Sequence, residues 1–405
     1  MKKIDFRVSP IAWDGIRAIF VVLIAIGAFV LVVGVRSYQN LSGQAKDAND
    51  TLFTTQQKRT QLEADLASAS ARIQDLESQD QRLRNDTLQK EIAEIKKVFA
   101  QALASYEDIT DLKEGKGKGL PMDKTFAAIL SDLSKENYAS ASTKLTQLAK
   151  DIKTEQDKFA AAANVPANVP VNNSAPGSGY SRQTVQTDIG PYVVDIVAAD
   201  LNSTRVIVDT ASDTDCGNNC PVLPLATYVS RSGAFAGING TYFCPESYPA
   251  CAGKTNSYDL LVMNKKKTYF NSANNVYSQN PAAIFSGNSA RFVAHAQDAG
   301  RDTGVDAVIS NFPLLIINGQ IQFGGNSDPK MGSKGNRSFI GSKGSTAYIG
   351  ILRNVTVAEG AHVLKALGLE HAMNLDSGGS TALWFGGYKA GPGRNLPNAV
   401  LFVRK

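Results

Sequence analysis

Eighteen consecutive residues without a charge, Ala18 to Val35, constrain this chain more than any other feature. At 1.5 Å per residue a helix of that length rises about 27 Å, close to the hydrocarbon thickness of a bilayer. Arg17 and Arg36 bracket the run, and a helix apolar on every face is rare in a soluble core. A cleaved secretory signal is the competing explanation. This run exceeds the roughly 7–15 apolar residues usual there, and Ser42-Gly43-Gln44-Ala45 makes a poor cleavage site. Lys2, Lys3, Arg7 and Arg17 precede the run, whereas Arg36 is followed next by Lys46. The positive-inside bias predicts a cytoplasmic tail over 1–17, a transmembrane helix over 18–35 and an extracytoplasmic remainder.

The rest of the chain divides by composition. Residues 1–160 hold only 7 of the 34 glycines and none of the four cysteines. A net charge of +5 over 405 residues is too small to argue for nucleic acid as a partner. From Leu62, apolar residues recur at Leu66, Ala69, Ile73, Leu76 and Leu83, interrupted by Asp80. After a shift near Thr87 the pattern resumes at Leu88, Ile92, Ile95 and Phe99. That heptad-like spacing predicts a coiled-coil-like helix over 45–112 with a discontinuity, stopped by Gly115-Lys116-Gly117-Lys118-Gly119-Leu120-Pro121. A further helical segment is predicted over 122–160, its apolar positions including Phe126, Ile129, Leu133, Leu145, Leu148 and Ile152. The long helix either pairs with its copy in another chain, making a homo-oligomer, or folds back on this second segment; the sequence leaves both open. Its acids and bases fall at solvated heptad positions, so this half reads as a spacer without a catalytic role. Residues 161–179 are small, with prolines and glycines, and predict a flexible linker.

From residue 180 the pattern changes to short β-type runs at 192–197, 205–209, 307–309, 314–317, 347–351 and 399–403. One helix is signalled by a capping box, Thr356 with Glu359, then apolar Val363, Leu364 and Leu367 and a stop at Gly368. Strands on both sides of a helix, without regular alternation, predict an α+β domain with a mixed sheet over 180–405. Cys216, Cys220, Cys244 and Cys251 are even in number and clustered, as disulfides of an exported domain are. Spacings of four and seven lack the tight pair of a zinc knuckle, and three pairings are open. His295, His362 and His371 show no metal spacing, and no G-x-S-x-G is present. No metal or other cofactor is expected.

Four polar segments interrupt apolar sequence. Asn239-Gly240-Thr241-Tyr242-Phe243 is a glycine turn after an apolar run. Arg337-Ser338-Phe339-Ile340-Gly341 sets an arginine beside a predicted strand. Asn374-Leu375-Asp376-Ser377-Gly378-Gly379-Ser380 puts a carboxylate at a strand end, followed by glycines that let backbone approach a ligand. Arg394-Asn395-Leu396-Pro397-Asn398-Ala399 brings a second arginine, whose planar fork suits phosphate oxygens.

These segments, in this order, resemble those of the phosphodiester glycosidase family over about residues 190–405. The family pattern is similar to N-G-G-Y-F, R-[ST]-x-I-G, N-L-D-G-G-G-S and R-x-[VL]-x-N-[AS]. Thr241 and Ser377 each stand where the family carries glycine. The resemblance implies hydrolysis of a sugar 1-phosphodiester at the anomeric carbon, in an envelope glycan such as an exopolysaccharide or in a related conjugate. It implies a catalytic set of Asp376 as base or electrostatic stabiliser, Arg337 on the phosphate and Asn239 positioning sugar or phosphate. Arg394, Gly378, Gly379, Ser380 and Asn398 would complete substrate binding. Glu246 and Asp259 are the candidates for a second carboxylate, while Glu359 is explained by its cap. The rival expectation is a non-catalytic surface protein that binds glycans from the same anchored scaffold.

Overall fold

The structure, a computed structural model, describes residues 10–116, 122–162, 168–272 and 279–405. The chain divides into two units, one ending at Ala93 and one beginning at Glu94. In the first, the described residues belong to helix α1 (Pro10–Lys116). This helix is long and apolar enough to cross a membrane. Ile19, Phe20, Leu23 and Phe29 stand exposed on it, as do the seam residues Leu62, Leu66, Ile73, Leu76 and Leu83. The helix begins well before residue 45 and runs through Thr87 without interruption. The reason is local: no glycine or proline occurs between Gly43 and Gly115. A shift in apolar phase moves the stripe around the helix and breaks no hydrogen bond.

The second unit opens with the end of α1 packed on α2 (Met122–Ser134) and α3 (Tyr138–Ala162). Val98, Ala102, Ile109 and Leu112 of α1 meet Ile129, Leu133, Leu145 and Leu148 in a small core. The fold-back alternative is thus realised by the end of α1 alone. Of the expected helix breaker at 115–121, Gly115 and Lys116 still belong to α1, and 117–121 lie outside the described residues, as do residues 1–9 of the tail and 163–167 of the expected linker. The described remainder of that linker is docked. Thr184 N–H donates to Pro170 O at 2.8 Å, and the buried Gln183 amide donates to Asn172 O at 2.7 Å. A segment poor in apolar side chains still orders when its backbone finds partners along a strand edge.

Helices α4 (Leu225–Ser232), α5 (Pro329–Gly332) and α6 (Val357–Ala366) punctuate three sheets. The seven-stranded sheet runs in the order Gly179–Thr187, Gly190–Asp200, Thr346–Val355, Gly335–Lys343, His371–Asn374, Leu314–Ile317, Gln320–Ile321. A five-stranded sheet runs Tyr388–Ala390, Leu383–Phe385, Ala236–Asn239, Asn398–Arg404, Thr204–Thr210. The other five-stranded sheet is built from strands between Val262 and Ser310. Where a mixed sheet was expected, every pairing between these strands is antiparallel; the parallel contact among the described residues is the isolated bridge Val171–Thr184. The cause is connectivity. The helical crossover through α6 joins Thr346–Val355 to His371–Asn374, and Gly335–Lys343 lies between those two strands.

The run Val193–Ala199 is buried throughout because both faces of its sheet are covered. Val194, Ile196 and Ala198 pack under α6 against Val357, Ala361 and Leu364. Val197 and Ala199 enter the central core with Ile238, Val400 and Val262 of the other two sheets. The capping box holds α6 in place: Thr356 Oγ1 accepts from Glu359 N–H at 3.1 Å and Glu359 Oε2 accepts from Thr356 N–H at 2.7 Å. Truncating Leu364 to alanine would cost about 2–5 kcal/mol. The four cysteines form Cys216–Cys220 and Cys244–Cys251.

Candidate active site

Two strands from different sheets end side by side. Ala236–Asn239 stops at Asn239 and His371–Asn374 stops at Asn374. The chain beyond them is stitched together: Asp376 N–H donates to Gly240 O at 3.1 Å, and Leu375 N–H donates to Ser338 O at 2.8 Å. Asn239 sits at the centre of this seam, fully buried. Its Nδ2 donates to Asp376 O at 2.6 Å, and its Oδ1 accepts from Ser338 Oγ at 2.8 Å and Ala382 N–H at 3.1 Å. Gly240 is required because an added Cβ would fall 1.7 Å from Asn398 Oδ1. Asn398 accepts from Thr241 N–H and donates to Thr241 Oγ1, both at 3.1 Å. The threonine that departs from the family pattern therefore serves as the clamp's partner. Asn239 and Asn398 were expected to touch substrate. Both lie beneath the site and hold its loops instead.

Above the seam lies a cavity of about 400 Å³, large enough for a small ligand. Asp376, Ser377, Gly378, Arg337 and Arg394 reach its wall; Gly379 and Ser380 are buried behind it. Gly378 adopts a left-handed φ of +63°, which turns the chain under the cavity. Asp376 Oδ1 accepts from Ser377 N–H at 2.8 Å. Burial pushes the Asp376 carboxyl up to about 7, with Asp111 adding to the rise, while Ser380, Arg394 and the Ser377 N–H oppose it. Ser380 Oγ acts there by proximity, since it meets no hydrogen-bond geometry. The extra hydroxyl of Ser377 is tied to the strands, donating to Leu375 O at 3.2 Å and accepting from Ser338 N–H at 3.3 Å. Tyr242 forms part of the wall, its hydroxyl accepting from Asn374 Nδ2 at 2.7 Å.

Arg337 is hemmed in by protein and meets the cavity with part of its surface. Its Nη2 donates to Lys330 O at 2.7 Å and Ser333 O at 2.5 Å. Among the described residues no carboxylate lies within ion-pair distance of it, and burial pushes its pKa down. A desolvated cation facing a cavity without a paired anion favours a negative charge beside it. Arg394 differs: its Nη2 donates to Asp111 Oδ1 at 2.7 Å, and Tyr248 donates its hydroxyl to Asp111 Oδ2 at 2.6 Å.

Asp111 belongs to α1, and so do two further acids, one paired to a wall residue and one on the wall itself. Glu107 is buried and pairs with Lys330 at 2.9 Å. Asp108 lines the wall, its carboxyl pushed up to about 6 by burial, against the pull of Lys330 and with the push of Asp111 and Glu107. The expectation that the acids of α1 are solvated fails here. Folding α1 onto α2 and α3 turns Ile109 and Leu112 inward, and the neighbouring acids face the β-domain: Asp108 and Asp111 at the cavity wall, Glu107 on Lys330. No local pattern announces this, because Glu107-Asp108-Ile109-Thr110-Asp111 also suits a solvated helix. Glu246 and Asp259, the expected second carboxylates, are exposed and outside the cavity wall. Tyr248 stands in the loop closed by Cys244–Cys251, a cue visible only once the pairing is known.

The phosphodiester glycosidase family matches residues 232–403. Among solved structures, a hypothetical protein from Synechocystis is similar at 14% identity and a TM-score of 0.39, over 56% of this chain and 62% of its own. The catalytic domain of zebrafish N-acetylglucosamine-1-phosphodiester alpha-N-acetylglucosaminidase, auto-inhibited by its pro-peptide, is similar at 14% identity and a TM-score of 0.45, over 58% of this chain and 87% of its own. No curated protein matches. Residues 232–403 of this chain therefore carry a domain of the phosphodiester glycosidase family.

Proposed function

We propose that this protein is a membrane-anchored, extracytoplasmic hydrolase that cleaves the glycosidic bond of a sugar 1-phosphodiester in an envelope glycan or related conjugate. The observation that carries this reading is the meeting of Asp376 and Arg337 on one cavity wall, a carboxylate on the loop after His371–Asn374 and a guanidinium on the strand Gly335–Lys343 with no ion-pair partner among the described residues. Arg337 takes the phosphate oxygens. Asp376, ionised, removes a proton from a water that attacks the anomeric carbon. The bond from that carbon to the bridging oxygen breaks, and the electron pair leaves on the phosphomonoester. A released phosphomonoester has a second pKa of about 6, so it departs with little help from a general acid. Asn239 and Asn398 act from below by fixing the loops that carry Asp376 and Thr241.

The anchor is the apolar part of α1, with the N-terminal basic residues on the cytoplasmic side; the two disulfides suit the oxidising side. The exposed seam from Leu62 to Leu83 pairs with a second copy. The test is incubation of the full chain in detergent with an N-acetylglucosamine 1-phosphodiester and with envelope polymers, followed by assay of free sugar. Release that Asp376→Asn abolishes supports the enzyme. Binding without release would leave the glycan-binding reading.

A further inference from the structure

The cavity is walled by four cations, Lys330, Lys334, Arg337 and Arg394. Three are matched by a carboxylate: Lys330 by Glu107 at 2.9 Å, Lys334 by Glu359 at 3.0 Å and Arg394 by Asp111 at 2.7 Å. Two of those carboxylates come from α1. Among the described residues Arg337 alone of the four lacks such a match, while Asp108, Asp328 and Asp376 add negative potential to the wall. The cavity remains open with α1 in place, so α1 is one of its walls and does not fill it. Asp111 is moreover held from both sides, by Arg394 on one oxygen and Tyr248 on the other.

Resting on the reading above, the charge balance has a consequence for what the cavity retains. The substrate of that reaction is a diester with a single negative charge. Its product, a monoester, carries about −1.5 to −2 at neutral pH. One unmatched guanidinium suits one negative charge; a second charge meets the surrounding carboxylates. We propose that Asp111 is a specificity-determining residue carried on α1, which by neutralising Arg394 makes the cavity favour a phosphodiester over a phosphomonoester. It acts through Arg394 and is a positioning residue in that sense. The benefit to turnover is discrimination against the product at the moment of its release.

The experiment uses two sugar-free probes, dimethyl phosphate for the monoanion and methyl phosphate for the dianion. Their affinities are measured by calorimetric titration of the full chain in detergent at about pH 8, where the monoester carries nearly its full second charge. In Asp111→Asn the ratio of methyl phosphate to dimethyl phosphate affinity should rise about tenfold or more, the scale of one additional charge-assisted contact. Asp111→Glu should return the ratio toward wild type. Tyr248→Phe, which loosens the Asp111 carboxylate and leaves its charge, should shift the ratio the same way by less, and it carries the test where Asp111→Asn fails to fold. Equal gains for both probes would show that Asp111 merely occupies the anion site and would overturn the proposal. An unchanged ratio would overturn it as well. Neither titration depends on turnover, so a chain that hydrolyses no diester refutes the enzymatic reading separately.

Discussion

The side-chain amide of Asn239 donates to the main-chain carbonyl of Asp376 at 2.6 Å, joining two residues 137 positions apart. One side chain thereby fixes where a strand of one sheet releases its loop relative to a strand of another. Asn239→Ala removes that tie and also strips Ser338 Oγ and Ala382 N–H of their acceptor. Each buried donor left without a partner costs about 1–3 kcal/mol. Urea unfolding should show destabilisation on that scale. Turnover should fall at least tenfold, because a displacement of the reacting group near 1 Å is enough for such a loss. Full activity in a chain thus destabilised would refute the positioning role.

Asp376 predicts opposite pH trends for activity and stability. As a base it acts only when ionised, so kcat/KM should rise with pH through about 7 and then level off. For the fold the sign reverses. The carboxyl is held above its ordinary value of 3.8, so between about 4 and 7 the folded chain binds more protons than the unfolded one. The stabilising contribution of the protonated form is present at low pH and is lost as pH rises through about 7. The slope is at most about 1.4 kcal/mol per pH unit. Asp108 is pushed up as well, to about 6, so the informative quantity is the difference between wild type and Asp376→Asn. Thermal melts from about pH 4 to pH 8 should show that difference growing in favour of the variant as pH rises.

Arg337 is expected to govern binding. Replacing it by Gln removes the charge together with the Nη2 donors to Lys330 O and Ser333 O, which the shorter amide does not reach. Charge-assisted hydrogen bonds contribute about 1.5–3 kcal/mol, so KM for a phosphodiester should rise about ten- to a hundredfold. Arg337→Lys restores the charge without the planar fork and should recover only part of the affinity. A KM unmoved by either change would place the phosphate elsewhere in the cavity.

How much of this was legible beforehand differs by kind of residue. The α6 capping box reads directly from Thr356 and Glu359, because a cap is a contact between near neighbours. The strand runs that flank it read from β-branched and apolar residues in short stretches. The loops carrying Asp376 and Arg394 could be found because glycine and turn residues mark them within a few positions, and Arg337 because it stands at the head of an apolar strand run. The roles of Asn239 and Asn398 could not: a buried clamp and a ligand-binding amide look alike until partners across 137 and 157 positions are seen. The acids of α1 were hidden for the complementary reason. Glu107, Asp108 and Asp111 suit an exposed helix face, and only the packing of Ile109 and Leu112 onto α2 and α3 brings Asp108 and Asp111 to the cavity and Glu107 to Lys330.

The first unit supports a prediction about assembly. Leu62, Leu66, Ile73 and Leu76 lie at steps of three, four and seven and are all more than half exposed. Leaving four such side chains in water forgoes about 1.5–3 kcal/mol each, which a parallel second copy would recover by burying the seam. Thr87 shifts the stripe without bending the backbone, so pairing through the Leu62–Leu83 stripe should weaken beyond it. All four native cysteines are disulfide-bonded, so an introduced thiol reports alone. Leu66→Cys should form a covalent dimer under mild oxidation in detergent. Ala64→Cys, at an exposed position two residues earlier and on the opposite face of the helix, should form far less. Equal cross-linking at both positions would indicate random collision, and the seam would then have no partner copy.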